Sequence, residues 1–185
     1  MESANLIFPN LIFNGKELMG ECVSESTRRL FELQDVFGDK DALQVMDLKQ
    51  EVYRVSTALP VKEGVLGGLF MGITYLMPGK VGDEYFMTKG HYHSKIDRAE
   101  FYWGVEGEGV LILMNAAREV WAERMFPGSL HYIPGGVAHR VANVGSKILT
   151  FAACWPSDAG HNYENIAQYG FARRLKEVDG KPKLV

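Results

Sequence analysis

The sequence predicts an all-β fold, a small barrel or sandwich, and three observations carry that prediction. From Val52 onward short β-branched and aromatic runs follow one another: VYRVSTAL, LFMGITYLM, EYFMTKGHYH, AEFYWGV, GVLILMN, EVWAERM, SLHYIP, HRVANV and KILTFAACW. Gly67-Gly68, Pro78-Gly79, Gly107 to Gly109, Pro127-Gly128, Gly135-Gly136 and Gly145 break these runs at the spacing of strands rather than helices. A chain of 185 residues with 46% hydrophobic content can bury one substantial core, and no linker or low-complexity tract divides it. Residues 1–185 are therefore expected to form a single domain.

Residues 1–50 read as an N-terminal extension. Its apolar runs ANLIF and NLIF are extended, interrupted by Pro9 and closed by the hairpin-turn dipeptide Asn14-Gly15. A peripheral helix is expected next, with Ser24 or Ser26 as N-cap, Leu30, Phe31, Leu33, Val36 and Phe37 at helical spacing, and Gly38 as its stop. Residues 51–155 hold the barrel strands. Residues 156–185 form a C-terminal segment packing on the barrel, in which NYENIAQYG reads as a short helix and FARRLKEV as an edge strand before Asp179-Gly180.

Bulk chemistry argues against several partner classes. The formal charge is −3 and the lysines and arginines are scattered, which gives no electrostatic footprint for nucleic acid. No window holds the roughly 18 apolar residues of a membrane span, and MESANLIFPNLIF lacks the basic start of an export signal. Cys22 and Cys154 are the only cysteines, too few for a disulfide scaffold, and each reads as a small buried hydrophobe. The expectation is a soluble cytoplasmic protein.

The stretch KGHYHSKIDRAEFYWGVEGEG, residues 89–109, spends two of five histidines on one H-x-H pair. On a strand, residues i and i+2 project from one face about 7 Å apart, so His91 and His93 would present their imidazoles together while Tyr92 points away. After six turn-compatible residues, SKIDRA, the chain can fold back and bring Glu100 beside the pair. Two imidazoles and a carboxylate make a mixed N/O set that suits iron, manganese, nickel or zinc. An isolated H-x-H is also common on the solvent face of a strand.

A second stretch, GSLHYIPGGVAHRVANVG, places Gly128, Pro134, Gly136, His139 and Asn143 in the spacing G-x5-P-x-G-x2-H-x3-N. Pro134 ends one strand, the glycines permit a tight turn at positive φ, and His139 is delivered at the start of the next strand. Together with His91, His93, Glu100 and Gly107, this pattern resembles the two signature motifs of the cupin superfamily. The resemblance implies a double-stranded β-helix, a jelly-roll barrel, in which His91, His93, Glu100 and His139 bind one divalent metal per chain. Fe(II) is the first expectation and Mn, Ni or Zn the alternatives.

The text around the motifs is more specific. Residues 78–114, PGKVGDEYFMTKGHYHSKIDRAEFYWGVEGEGVLILM, and residues 155–171, WPSDAGHNYENIAQYGF, resemble the cupin-type glucose-6-phosphate isomerase family. The six-residue insert before Glu100 is a feature of that family. The resemblance is clear from about Val52 to Phe171 and weak before it. It implies an aldose-ketose isomerase acting on a sugar phosphate, with Glu100 as ligand and base and His161 opening the ring or shuttling protons. By the same resemblance Tyr102 and Tyr163 line the cavity, Thr88 and Gly90 with Lys89 form a phosphate handle, and Thr74 and Tyr53 are further substrate contacts. Trp155 stands where the family often carries tyrosine, so an indole N–H replaces a phenol.

Two other readings use the same residues: an Fe(II)-dependent cupin dioxygenase, and a non-catalytic sugar-phosphate-binding cupin. His131 fits no motif position and is read as packing or surface. Asp97 and Arg98 are read as a solvated turn, with Lys95 or Arg98 available to attract an anionic substrate. A barrel exterior this rich in apolar residues predicts a homodimer.

Overall fold

The structure is a computed structural model that describes residues 6–185, so the expectation on ANLIF falls partly outside the described residues. In chain order the first elements are β1 (Leu11–Phe13), β2 (Leu18–Gly20), β3 (Val23–Arg29), α1 (Lys40–Gln44), β4 (Glu51–Ala58), β5 (Leu69–Leu76), β6 (Lys80–Val81) and β7 (Glu84–Tyr85). They continue with β8 (Glu100–Glu106), β9 (Gly109–Met114), β10 (Val120–Met125), β11 (Leu130–Ile133), β12 (Ala138–Asn143) and β13 (Leu149–Pro156). The chain ends with α2 (Glu164–Tyr169), β14 (Leu175–Val178) and β15 (Lys181–Leu184).

A six-stranded antiparallel sheet in the order β11-β8-β13-β5-β4-β3 faces a three-stranded sheet, β10-β9-β12, and this is the cupin barrel. A four-stranded sheet, β15-β14-β7-β6, and the β1-β2 hairpin flank it. Asn14 closes that hairpin: its Oδ1 accepts from the N–H groups of Lys16 and Glu17 at 2.9 and 2.8 Å.

Period-two alternation decides what the barrel interior contains. Register pairs Val55 with Thr74, Thr74 with Phe151, and Ala153 with both Gly72 and Tyr102, so these side chains share one face. β9 and β12 are buried on both faces, because the C-terminal segment covers the side turned away from the barrel interior. Their sequences, GVLILM and AHRVAN, accordingly show little polar alternation.

The expected peripheral helix is corrected. Residues from Ser24 to Arg29 belong to β3, which pairs along β4, and only Leu30–Leu33 form a single 3-10 turn. The periodic residues Leu30, Leu33 and Phe37 are fully buried, as a helix would bury them. Pairing β3 against the otherwise open edge of β4 satisfies a row of backbone groups, and that outweighs the weak helical preference of VSESTRR. The helix that does form nearby is α1, capped by Asp39, whose carboxylate accepts from the Ala42 N–H at 2.8 Å.

The C-terminal helix forms as expected, at Glu164–Tyr169. FARRLKEV is not an edge strand, however. Only Leu175–Val178 is extended, and it lies between β7 and β15. Asp179 and Gly180, both at positive φ, make the tight turn that lets KPKL return as β15.

Candidate active site

His91 and His93 lie just outside regular strand. Single bridges fix the segment: His91 pairs with His139, and Tyr92 with Asn162. The expected projection holds in this setting, with the rings of His91 and His93 centred 5.7 Å apart and the Tyr92 hydroxyl donating elsewhere, to the Asn115 carbonyl. Glu100 opens β8 and His139 is the second residue of β12. One ligand atom from each of His91, His93, Glu100 and His139 lies within 4.8 Å of all the others.

The hydrogen bonds around this cluster settle which nitrogens face inward. His93 Nδ1 lies 2.8 Å from the Arg98 carbonyl oxygen, and His139 Nδ1 lies 3.1 Å from that of Val137. A carbonyl only accepts, so both Nδ1 atoms carry the proton and each Nε2 presents a lone pair. The Nε2 atoms of His91, His93 and His139 and Oε1 of Glu100 are buried without a hydrogen-bond partner. Glu100 Oε1 is nonetheless 2.5 Å from His139 Nε2 and 3.2 Å from His93 Nε2. Lone pairs converging this closely in a dry setting require positive charge among them, and a divalent cation supplies it. Three nitrogens and one oxygen fit Fe(II), Mn(II), Ni(II) or Zn(II).

Without a metal, protons take its part: burial alone would raise the Glu100 carboxyl, but charge and hydrogen bonds from the His139 and His93 rings more than offset it and hold it at about 2, and Glu100 in turn raises His93 against the effect of burial. Burial, reinforced by the neighbouring imidazoles, drives His91 well below its ordinary value of 6.5, which keeps it neutral as a metal ligand must be.

The cluster forms one wall of a cavity that opens toward solvent. Tyr53, Thr74, Thr88, Gly90, Tyr102, His161 and Tyr163 line it beside His91, Glu100 and His139, while His93 sits behind. Burial raises Tyr53 to about 12 and raises Tyr102 well above its ordinary 10, so both phenols stay protonated and can donate. His161 stands at the mouth, its ring 4.4 Å from that of His91 and stacked at 5.9 Å on Tyr163. Trp155 closes one side, its indole against Gly72. A Cβ on Gly72 would stand 3.1 Å from that ring, so the small residue makes room for the large one.

The insert departs from expectation. Asp158, buried at the end of β13, accepts from Lys95 Nζ at 2.7 Å and from Arg98 Nε and Nη2 at 2.9 and 2.8 Å. These cations are committed to the protein, and Arg98 is no solvated turn residue. The insert also presses on the second motif: a Cβ on Gly135 would meet the Ile96 carbonyl oxygen at 2.5 Å. His131 has the packing role expected of it, buried away from the cluster between Glu123 (2.6 Å) and Ser129 (2.9 Å).

Asp158 and Arg140 carry no local signal in the sequence: Asp158 lies within WPSDAGHNYENIAQYGF without a motif of its own, and Arg140 is the one full charge in HRVANV.

Residues 27–183 match the family described as glucose-6-phosphate isomerase (GPI), so the similarity reaches back through β4 into the end of β3. A glucose-6-phosphate isomerase from Thermococcus litoralis is 42% identical over 166 residues, covering 87% of this chain and 85% of the relative. One from Pyrococcus furiosus is 37% identical over 165 residues, covering 89% and 87%. A putative glucose-6-phosphate isomerase from Rhizobium meliloti is 33% identical over 166 residues, covering 88% and 77%. Among solved structures, oxalate decarboxylase from Bacillus subtilis aligns at a TM-score of 0.47 and 18% identity, over 65% of this chain and 29% of that one. Three imidazoles and a carboxylate converge at the wall of an open cavity, and the surrounding chain matches one family along most of its length: it belongs to the glucose-6-phosphate isomerase family.

Proposed function

We propose that this protein interconverts glucose 6-phosphate and fructose 6-phosphate, using one divalent metal, Fe(II), held by His91, His93, Glu100 and His139. The observation that carries the reading is the set of buried, unpartnered ligand atoms facing an open cavity in a chain of this family. When bound, the metal supplies Lewis-acid polarisation of the C1 and C2 oxygens.

The protein's own groups then have distinct tasks. His161 opens the sugar ring, giving a proton to the ring oxygen and accepting one from the C1 hydroxyl. Glu100, ionised because its carboxyl is held at about 2, takes the proton from C2 and returns it to C1 while the O2 proton moves to O1. The atoms of aldose and ketose balance without any co-reactant. Tyr53, Tyr102 and Tyr163 orient the sugar hydroxyls, with Thr74 beside them on the barrel floor. Thr88 and Gly90 take the phosphate, aided by Lys89, whose Nζ stands 4.8 Å over the Tyr163 ring.

The chain pairs as a homodimer through the exposed apolar face of β8 and β11. Phe101, Leu130 and Tyr132 lie there, with the rings of Phe101 and Tyr132 5.3 Å apart. The free thiols of Cys22 and Cys154 suit the cytoplasm, and no helix among the described residues is long and apolar enough to cross a membrane.

The test is to supply fructose 6-phosphate to metal-stripped and Fe(II)-reloaded protein without oxygen and assay glucose 6-phosphate. Turnover restored by metal alone supports the reading. Dependence on O₂ would assign a dioxygenase, and tight binding without turnover a sugar-phosphate-binding protein.

A further inference from the structure

On β12, His139 turns into the cavity and Arg140, its neighbour, turns the opposite way. Arg140 is only 7% exposed, yet no carboxylate pairs with it among the described residues. Glu84, in the same outer cavity, is occupied by Arg174 at 2.7 Å and the Gly38 N–H at 2.9 Å. Arg140 instead donates through Nη2 to the Lys89 carbonyl at 2.7 Å and through Nη1 to Met87 Sδ at 3.3 Å, and its guanidinium lies 4.1 Å over the Phe171 ring. Its Nε has no partner. A buried cation satisfied only by neutral groups is costly, and it is retained where an anion completes it.

The geometry shows where that anion belongs. The Lys89–Gly90 peptide is trans, so its C=O and N–H point in opposite directions. Arg140 holds the Lys89 carbonyl on the outer side of β12, which turns the Gly90 N–H toward the inner cavity, where that N–H meets no acceptor among the described residues. The loop has no freedom to turn back. Thr88 is bonded to Val141 through its N–H (2.9 Å) and its Oγ1 (3.1 Å), and His91 to His139 through both backbone groups. Gly90 is also the one residue type that fits, since at φ +78° a Cβ would stand 2.9 Å from Arg140 Nε.

We propose that Arg140 is a positioning residue for the substrate's anionic group: it aims the Gly90 N–H at the phosphate and places a buried positive charge directly behind it. The proposal rests on the reading that the Thr88–Gly90 loop receives the phosphate.

The test uses the metal-loaded protein with inorganic phosphate as competitive inhibitor, alongside KM and kcat for fructose 6-phosphate and metal content. Arg140→Met keeps length and removes the charge. It is expected to weaken phosphate inhibition and raise KM by about 10-fold or more, the span of a charge-assisted hydrogen bond, with smaller loss of kcat and metal content unchanged. Arg140→Lys is expected to recover part of the phosphate affinity, which a merely structural arginine would not predict. In ¹⁵N-labelled wild-type protein, titrating phosphate is expected to shift the Gly90 amide resonance, a readout that survives any failure of the variants to fold. A folded Arg140→Met with unchanged phosphate inhibition and KM overturns the role of Arg140 and leaves the loop assignment standing. A wild-type Gly90 amide indifferent to saturating phosphate overturns the loop assignment itself.

Discussion

The backbone carbonyl of Arg98 lies 2.8 Å from Nδ1 of His93, and Arg98 is itself held by two hydrogen bonds to Asp158. A residue just past β13 thereby fixes the tautomer of a proposed metal ligand that precedes it by more than sixty residues. Asp158→Asn, which weakens both cation contacts, is expected to lower metal affinity by about 10–100-fold, as loss of an outer partner usually does, with the barrel intact. Competitive metal titration checks it. Undiminished affinity would reduce the clamp to surface decoration.

His91→Ala, His93→Ala and His139→Ala should each lose metal more severely than Asp158→Asn and abolish isomerisation. All three should still fold, because the core of Leu76, Leu111, Leu113, Val141 and Phe151 forms without the metal. Elemental analysis beside thermal unfolding by circular dichroism is the check. A His139→Ala variant with full metal content and normal turnover would remove β12 from the site.

Glu100→Gln keeps a possible ligand oxygen and removes the base. With metal partly retained, turnover is expected to fall by about 10²–10⁴, the usual span for a lost general base. Wild-type reaction in D₂O should place deuterium at C1 or C2 of the product, and the metal-loaded variant should place none. Full rescue of the variant by excess metal would leave Glu100 a ligand only.

Burial lowers His161 from its ordinary 6.5, so the free imidazole is the form present at neutral pH. Because the ring must begin neutral to accept a proton, turnover should be flat above pH 6.5 and fall on the acid side with a midpoint below it. His161→Gln should remove that limb from the profile. A limb unchanged in the variant would assign it to another group.

Acid should also unfold the metal-free protein. The Glu100 carboxyl moves from an ordinary 4.5 to about 2 on folding, so its stabilising contribution is complete above 4.5 and is lost as pH falls toward about 2. Denaturant midpoints measured across that window should decline less steeply for Glu100→Gln.

Much of this could be read from the chain because strands and ligands leave periodic traces. The β-branched and aromatic runs VYRVSTAL and KILTFAACW, bounded by turn residues, gave β4 and β13, and the resemblance of two motifs to those of the cupins gave all four members of the cluster. VSESTRR misled because its own preference is weak and the open edge of β4, remote in sequence, decides its state. The pairing of Asp158 with Arg98 was illegible for the same reason: it spans sixty residues and no local pattern marks it. Arg140 was hidden by its surroundings, since a single charge in an apolar strand reveals nothing about which face it takes.

β13 lies between β5 and β8, bonded to both, and Glu100 stands on β8. A chain emerging from the ribosome has therefore released all four members of the cluster before the strand that completes the sheet of Glu100 exists. Closing that sheet joins segments far apart in sequence, a slow and late event. A divalent ion taken up by this cluster would then meet a finished cage, with its spacing already set, and not a flexible nascent peptide that would favour whichever metal binds histidine most tightly.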